Sequence, residues 1–515
     1  MIKQTESICP TCNLVVPAKI YEDDGKVYIA KTCPEHGEFT DLYWGDYGQY
    51  IRAEKYSHVG QPINNPRTHE RKGCPFDCGT CTNHKSSTIL GIIDVTNRCN
   101  LRCPICFAYA GAAGYLYEPS KQQIREMMMN LRENRPIKTP ALLLSGGEPT
   151  VRDDLPELIA MAKELGFGYV MVASNGIRMA ESPEYCKKLK AAGLDNVYLQ
   201  FDGVTPAPYI EARGFDLLPI KLRAIENLRQ AGFFALVLVP VLVKGVNDDQ
   251  VGDIVRFALE NSDCVKGVNF QPVSISGRID RSKREAMRNT IPDLMRLMEE
   301  QTNGFIEAED WYPVPVLQPL SEFLSLMKEE PYVDFCCHPH CGMGTYLVME
   351  KDGVKPITDV LNVDNVLEVL EKSSKKMEKG KNIGAKVEVV GGVINSLKFS
   401  TLAHYIKDLV ITDNFNSLNR AYHQRILVSA MHFMDPYNFD LERVQRCVIH
   451  YATPDGRIIP FCAMNNIHRE EIEKKFSKPI KESETTPLCD VDTLTKRIKE
   501  EHVPEGGRVR TEGLI

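Results

Sequence analysis

Two copies of one cysteine pattern, Cys-x3-Cys-x2-Cys, constrain the fold of this 515-residue chain more than any other feature. Three thiolates at this spacing can bind three irons of a cubane iron–sulfur cluster and leave the fourth iron open to another ligand. The fold must therefore present both sets of thiols on loops where a cluster has room. The two triads are Cys74/Cys78/Cys81 and Cys99/Cys103/Cys106.

Size and composition limit the class of protein. With 515 residues, of which 43% are apolar, the chain is expected to form about two or three domains with buried cores. A net charge of -7 and the lack of a basic run predict no binding to nucleic acid. The first residues contain no apolar signal segment. The longest apolar stretch, 233–243, is too short to span a bilayer, so we expect a cytoplasmic protein.

The seventeen cysteines are clustered at short spacings, which favours metal ligation over disulfides. The first group pairs Cys9 with Cys12 and Cys33 with His36, on either side of a strand-like stretch at 19–32. Paired knuckles of this kind usually close a tetrahedral site with protein ligands. We therefore expect a structural site for one zinc or rubredoxin-like iron ion.

The surrounding sequence separates the two triads. The first lies between Gly73 and Gly79 and follows a polar linker at 61–67, so it is predicted to be a loop. The second follows a β-branched run at 88–96 and precedes a helical pattern at 121–133. The second triad is therefore predicted to follow a first strand, on the face where barrel enzymes build their active sites.

Strand and helix patterns alternate after the second triad. Together with the first strand they predict a parallel, barrel-like sheet of six strands with crossover helices over 87–273. The further strand-like runs are 141–144, 169–173, 197–201, 233–242 and 268–273, and the helix-like segments include 155–165, 183–192, 219–230 and 249–260.

Polar turns follow three of these predicted strands. A glycine turn at 145–149 can bring backbone groups close to a small polar ligand. Each turn alone would be ordinary. All three turns follow the second triad in the chain and lie at predicted strand ends, so their polar residues are candidate site residues. The turns contain Gly146-Gly147-Glu148, Ser174-Asn175 and Asp202.

Residues 88–273 resemble the core of radical S-adenosylmethionine enzymes, because the second triad, with Ile105 before its last cysteine, matches the cluster loop of that superfamily. The resemblance implies that a cluster on this triad cleaves S-adenosylmethionine and releases a 5′-deoxyadenosyl radical. It also implies that Gly146, Gly147 and Glu148 meet the cofactor's amino group and that Ser174 and Asn175 lie near its ribose. Asp202 and Gln271 are further candidates for cofactor or substrate contacts.

A fourth cysteine group follows the predicted barrel. Four of its thiols would complete an auxiliary four-iron cluster, and a further cysteine would be the fourth ligand of the first triad. The chain would then hold three [4Fe–4S] clusters, although sequence cannot give this connectivity. The four-thiolate set is Cys337, Cys341, Cys447 and Cys462, and the candidates for the fourth ligand are Cys336 first and Cys489 second.

The order of the four motifs is similar to that of archaeal tetraether lipid synthases. This resemblance implies joining of the terminal methyl carbons of phytanyl chains in archaeal diether lipids, with two molecules of S-adenosylmethionine used per bond. It also implies an electron donor such as ferredoxin or flavodoxin and peripheral contact with a membrane. The expected fold is α/β, a partial (β/α)6 barrel with a metal-knuckle domain at 1–72, the barrel and auxiliary loop at 73–315, and an α+β auxiliary-cluster domain at 316–515.

Other interpretations stay open at this point. Segments 394–411 and 426–439 mix apolar and polar residues at helical spacing, and Met431, Phe433 and Met434 could line a lipid channel. Ordinary helix packing explains the same pattern and is favoured. A radical enzyme acting on a peptide or small metabolite, or an iron–sulfur electron carrier without catalysis, would fit parts of the same sequence.

Overall fold

The fold is described from a computed structural model. It covers residues 1–350, 353–379, 425–480 and 486–500, with a few further positions between 384 and 396. The predicted channel segment at 394–411 lies almost entirely outside the described residues.

The N-terminal part is a four-stranded antiparallel sheet in the order β1-β2-β3-β4, followed by helix α1. The strand-like stretch at 19–32 is two strands and not one, because Asp24 and Gly25 both have positive φ and form a two-residue hairpin turn. This turn brings Cys33, at the end of its strand, back towards Cys9. The elements are β1 Lys3–Ile8, β2 Val15–Asp23, β3 Lys26–Cys33, β4 Gly37–Trp44 and α1 Tyr47–Glu54.

The six strands predicted for the barrel are all present, and neighbouring strands are parallel. Their residues are largely buried, as expected for a parallel sheet covered on both faces. The run at 233–242 is interrupted at Pro240, which cannot donate a ladder hydrogen bond. The strands are β5 Leu90–Thr96, β6 Ala141–Gly146, β7 Tyr169–Ser174, β8 Asn196–Gln200, β9 Leu236–Val239, β10 Val241–Leu242 and β11 Val265–Pro272.

Amphipathic helices connect these strands. In α8, for example, Val251, Ile254, Val255 and Ala258 are buried on one face, at the spacing of a helix that packs against a sheet. The helices up to this point are α2 Lys121–Arg132, α3 Leu155–Glu164, α4 Ile177–Glu181, α5 Pro183–Ala191, α6 Pro206–Arg213, α7 Leu218–Gln230 and α8 Val251–Glu260.

The chain after the barrel adds strands to both edges of the same sheet. The order is β12-β13-β15-β11-β9-β8-β7-β6-β5-β16-β17, in which β15 is parallel to β11 and β16 is parallel to β5. This pairing brings the C-terminal cysteines close to the barrel. The strands are β12 Tyr312–Pro313, β13 Gly342–Glu350, β14 Gly353–Pro356, β15 Arg425–Met431, β16 Ile449–Ala452 and β17 Ile458–Pro460.

Several of the remaining helices pack against other helices, for example the helix Ile291–Gln301 on α8. The predicted α/β fold class and parallel, barrel-like sheet are confirmed, and a separate four-stranded antiparallel sheet precedes them. Within the described part of the chain, no helix has the length and apolar character needed to cross a membrane. The helices are α9 Arg284–Met287, α10 Ile291–Gln301, α11 Gln318–Lys328, α12 Ile357–Val360, α13 Val363–Met377, α14 Leu441–Gln445, α15 Phe461–Ala463, α16 Arg469–Lys475 and α17 Val491–Glu500, with a π-helical turn at Met464–His468.

Candidate active site and metal centres

A cavity of about 470 Å³ opens at the carboxyl ends of the parallel strands. It brings together the second cysteine triad and several predicted site residues from separate strand ends. The cysteines and predicted residues that line it are Cys99, Cys103, Cys106, Gly146, Gly147, Ser174, Asn175 and Gln271.

The glycine turn after β6 packs directly on the chain that leads into the triad. A Cβ atom at Gly146 would lie 2.2 Å from the Thr96 carbonyl oxygen, and one at Gly147 would lie 2.2 Å from that of Arg98. The Gly147 amide donates to the Thr96 carbonyl at 2.8 Å. The two positions therefore need glycine because two stretches of backbone meet there.

The Glu148 side chain lies behind the cavity wall. Its carboxylate is 1% exposed and does not line the cavity. It accepts hydrogen bonds from the Ser174 hydroxyl at 2.8 Å, the Asn175 amide at 2.7 Å, and the Thr150 hydroxyl and amide at 2.6 and 3.1 Å. Burial raises the pKa of Glu148, against the effect of these donors. In this arrangement Glu148 joins the β6 and β7 turns to each other and has no free face for a ligand.

Asp202 also lies behind the cavity and does not line it. Both of its oxygens accept hydrogen bonds from Arg213, at 2.8 and 2.7 Å. Arg213 lines the cavity and donates to the Ile105 carbonyl of the triad loop at 2.7 Å. Sequence reasoning missed Arg213, because the helix that carries it, Pro206–Arg213, was not among the predicted helix-like segments.

A buried lysine supports the same wall. Lys221 donates to the Gln200 side-chain oxygen at 2.8 Å and to the Asn175 carbonyl, and burial lowers the pKa of its ammonium group to about 8. Both Gln200 and Asn175 line the cavity. Lys221 therefore fixes two cavity residues without facing the cavity itself.

The loop after β11 clamps the triad loop from the other side. Gly277, with φ of 62°, approaches so closely that a Cβ atom would lie 2.4 Å from the Cys106 carbonyl oxygen. Arg278 donates to the Cys103 carbonyl at 2.9 Å. The three thiols face one cavity on a loop held at several points, which fits an iron–sulfur cluster bound by three cysteines. Burial raises the pKa of Cys99 and Cys103, and ligation by metal would deprotonate both thiols.

The N-terminal group Cys9, Cys12, Cys33 and His36 is brought together as predicted, with all four ligand atoms within 4.8 Å of one another. The distances are 3.9 Å from Cys12 Sγ to Cys33 Sγ, 3.5 Å from Cys33 Sγ to His36 Nδ1 and 3.7 Å from Cys9 Sγ to His36 Nδ1. Ligands about 2.3 Å from a tetrahedral ion are about 3.8 Å apart, so the site fits one such ion.

The four cysteines predicted to bind an auxiliary cluster influence one another electrostatically. Burial raises the pKa of Cys337, and the nearby thiols of Cys341, Cys336 and Cys447 raise it further. Burial likewise raises the pKa of Cys462, with added effects from Cys447 and Cys341. These effects place Cys341 and Cys447 within electrostatic reach of both Cys337 and Cys462, and the four-thiolate set itself stays a prediction.

The first triad lines a small cavity of its own with His84, Gln445 and Pro460. Neither predicted fourth ligand lines it. Cys336 packs against Gly60, and the Cys489 amide donates to the Asn100 carbonyl beside the second triad at 2.9 Å. The placement of Cys336 and Cys489 therefore does not support either residue as the fourth ligand of the first triad.

The predicted helical segment at 426–439 is instead strand β15 followed by a loop. Its alternating burial, with every second residue buried, is that of a strand, so the period was misread. Met431, Phe433 and Met434 nevertheless line the cavity.

Comparison with known proteins agrees with this geometry. A family model for the radical SAM superfamily matches residues 93–258, and a model for the HMPTM N-terminal zinc ribbon domain matches residues 1–45. The 7,8-dihydro-6-hydroxymethylpterin dimethyltransferase of Methanocaldococcus jannaschii is 49% identical over 497 residues, which cover 94% of this chain and 97% of that protein.

More distant similarities cover the core. The GTP 3',8-cyclase of Peptoclostridium acidaminophilum is 26% identical over 231 residues, covering 43% of this chain and 68% of that protein. The crystal structure of Streptococcus suis SuiB bound to precursor peptide SuiA has a TM-score of 0.34 at 17% identity, covering 43% of this chain and 47% of that one.

The radical SAM part of the expected resemblance is confirmed, and the tetraether lipid synthase part is not supported, because the relative that matches almost the whole chain is named as a pterin methyltransferase. The chain therefore belongs to the radical SAM superfamily and, within it, to the family of the 7,8-dihydro-6-hydroxymethylpterin dimethyltransferase.

Proposed function

We propose that this protein is a radical SAM methyltransferase that acts on a reduced pterin, 7,8-dihydro-6-hydroxymethylpterin or a close analogue. The observation that carries the proposal is the 49% identity to the dimethyltransferase over nearly the full length of both chains. A match of that extent includes the ribbon, both triads and the C-terminal cysteines, and so it compares whole architectures and not the core alone.

The size of the cavity supports a small substrate. A volume of about 470 Å³ is within the range of small-molecule sites, and S-adenosylmethionine would occupy part of it. A reduced pterin is a compact bicyclic ring, whereas joining phytanyl chains requires room for the ends of two long chains. Peripheral contact with a membrane was expected only because of a lipid substrate and is not part of this proposal.

The chain's own residues would hold the cofactors. The second triad would bind the cluster, and Gly146, Gly147, Ser174 and Asn175 would face S-adenosylmethionine in the same cavity. When bound, these groups would supply a carbon radical able to remove hydrogen from an unactivated carbon. The Asp202–Arg213 pair and Lys221 would keep the cavity wall fixed around the substrate.

The remaining centres are part of the same proposal. The N-terminal group would bind one structural zinc or iron ion, and the other two cysteine groups would each hold an auxiliary cluster. A low-potential electron donor such as ferredoxin or flavodoxin would reduce the cluster of the second triad. These assignments rest on donor chemistry and on the placement of the thiols.

The test is turnover under anaerobic conditions. The reconstituted, reduced protein is incubated with S-adenosylmethionine and 7,8-dihydro-6-hydroxymethylpterin, and we expect a pterin product heavier by one CH₂ for each methyl group added. Label in the methyl group of S-adenosylmethionine reports whether that group is the methyl source. Cys103→Ser should abolish both product and 5′-deoxyadenosine, whereas Cys186→Ser, at a buried thiol outside the site, should retain both.

Two outcomes would contradict the proposal. One is formation of 5′-deoxyadenosine with no change in the mass of the pterin. The other is an archaeal diether lipid converted to a product lighter by two hydrogens while the pterin is left unchanged, which would restore the lipid-coupling expectation.

A further inference from the structure

We propose that the pterin ring stacks on a wall of aromatic side chains on one side of the active-site cavity and that the Gln271 side chain forms hydrogen bonds with the polar edge of the ring. This inference rests on the proposed function and deepens it by placing the substrate. The aromatic wall is formed by Phe107, Phe433, Tyr451 and Phe461, all of which line the cavity.

Phe461 is the centre of the aromatic wall. Its ring is stacked on Phe433 with centroids 3.9 Å apart and planes inclined by 22°. The ring of Tyr451 lies 5.4 Å from it at 34°, and that of Phe107 lies 6.0 Å away at 42°. These rings form one aromatic cluster in the cavity wall, and a planar heteroaromatic ring gains more from contact with such rings than a saturated chain does.

The position of the aromatic wall suits a radical reaction on a stacked ring. Phe107 directly follows Cys106 of the second triad, and Phe461 directly precedes Cys462 of the predicted auxiliary-cluster set. A ring stacked here would lie in the cavity shared with Gly146 and Gly147, where S-adenosylmethionine is proposed to bind. Stacking fixes the plane of the ring, and so decides which carbons face the cofactor.

Gln271 is the polar residue of this cavity best suited to form hydrogen bonds with the edge of the ring. Asn269 is already bonded to the hydroxyl groups of Tyr198 and Ser429, and Asn465 accepts two hydrogen bonds from Arg469. Among the described residues the Gln271 side-chain amide has no hydrogen-bond partner, and it lines the cavity at the end of β11. A pterin presents an amino group beside a ring nitrogen and a carbonyl, and one amide can donate to and accept from such an edge.

The decisive variant is Phe461→Leu, because leucine keeps an apolar surface and removes the aromatic face. Losing one stacking contact to a nucleobase-like ring weakens binding by about 5- to 150-fold, the equivalent of about 1–3 kcal/mol. We therefore expect Phe461→Leu to raise the Kd and KM for the dihydropterin by that factor. Binding of a saturated lipid chain would hardly change, since leucine offers it similar apolar contact.

The experiment measures anaerobic binding of 7,8-dihydro-6-hydroxymethylpterin by equilibrium dialysis, together with its methylation. Phe234→Leu is the matched control, because Phe234 is 43% exposed and lies outside the cavity. Iron content and cleavage of S-adenosylmethionine without pterin show that each variant is folded and loaded. If Phe461→Leu loses iron, Phe433→Leu decides in its place, and Gln271→Leu should weaken binding by a comparable factor.

The outcomes separate the two proposals. If the wild-type enzyme binds the pterin and the variants Phe461→Leu and Phe433→Leu bind it equally well, the stacking inference is overturned and the proposed function stands. If the wild-type enzyme neither binds nor methylates the pterin, both are overturned. Weaker pterin binding with unchanged cleavage of S-adenosylmethionine is the result expected.

Discussion

Asp202→Asn is the substitution with the most defined effect on stability. Asp202 is fully buried and accepts two short hydrogen bonds from Arg213, whose own side chain is 8% exposed. The substitution leaves the guanidinium charge buried without its counter-charge. Removing one partner of a buried ion pair costs about 3–5 kcal/mol. In a cooperative unit of about 150–250 residues, each kcal/mol lowers the Tm by about 2–4 °C. The expected fall in Tm is therefore about 6–20 °C.

The assay is thermal unfolding of the reconstituted protein by circular dichroism under anaerobic conditions. Glu184→Gln is the matched control, because the Lys187–Glu184 pair has a similar distance of 2.7 Å but side chains that are 57% and 74% exposed. An exposed pair contributes about 0–1 kcal/mol. Replacing Arg213 by Gln as well should recover part of the loss, since no unpaired charge is then buried. If Asp202→Asn unfolds within the range of Glu184→Gln, the argument for a supporting ion pair is wrong.

Three further substitutions test other parts of the account. Gly147→Ala should abolish cleavage of S-adenosylmethionine because its Cβ would collide with backbone 2.2 Å away, whereas Gly168→Ala, with its nearest atom at 3.8 Å, should retain full activity. Cys9→Ser should lower the metal content by about one ion per chain in elemental analysis, and Cys186→Ser should not. Lys221→Met should change the pH dependence of stability: the pKa of Lys221 is lowered from 10.5 to about 8, so the wild type should gain stability relative to the variant as the pH rises from about 8 to 10.5. An unchanged difference across that range in denaturant unfolding would contradict the assigned burial.

The sequence predicted the central fold well because each strand of the central sheet is a continuous apolar run, buried on both faces. Runs such as 141–144 and 169–173 cannot be exposed, and the helices between them carry one apolar face. The C-terminal additions could not be predicted, because β15 pairs with β11 and β16 pairs with β5 across very long stretches of chain. Pairing at that distance depends on tertiary packing, for which no local pattern exists.

The site was predicted in part for a related reason. Spacing along the chain was enough to bring the thiols of the ribbon and of the second triad together. The sequence could not show whether a polar side chain after a strand faces the cavity or packs behind it. Glu148 and Asp202 both follow strands, yet each is used to hold neighbouring turns or side chains. Arg213, which does line the cavity, comes from a helix that the sequence patterns did not reveal.

Transfer of deuterium from the pterin to 5′-deoxyadenosine tests whether this protein is a radical enzyme that acts on a reduced pterin. The enzyme is given 7,8-dihydro-6-hydroxymethylpterin that carries deuterium at its ring and hydroxymethyl carbons, with unlabelled S-adenosylmethionine and a reductant. We expect a methylated pterin that has lost deuterium and 5′-deoxyadenosine that has gained it. Unlabelled 5′-deoxyadenosine together with an unmethylated, fully deuterated pterin would contradict the claim that this protein is a radical enzyme acting on a reduced pterin.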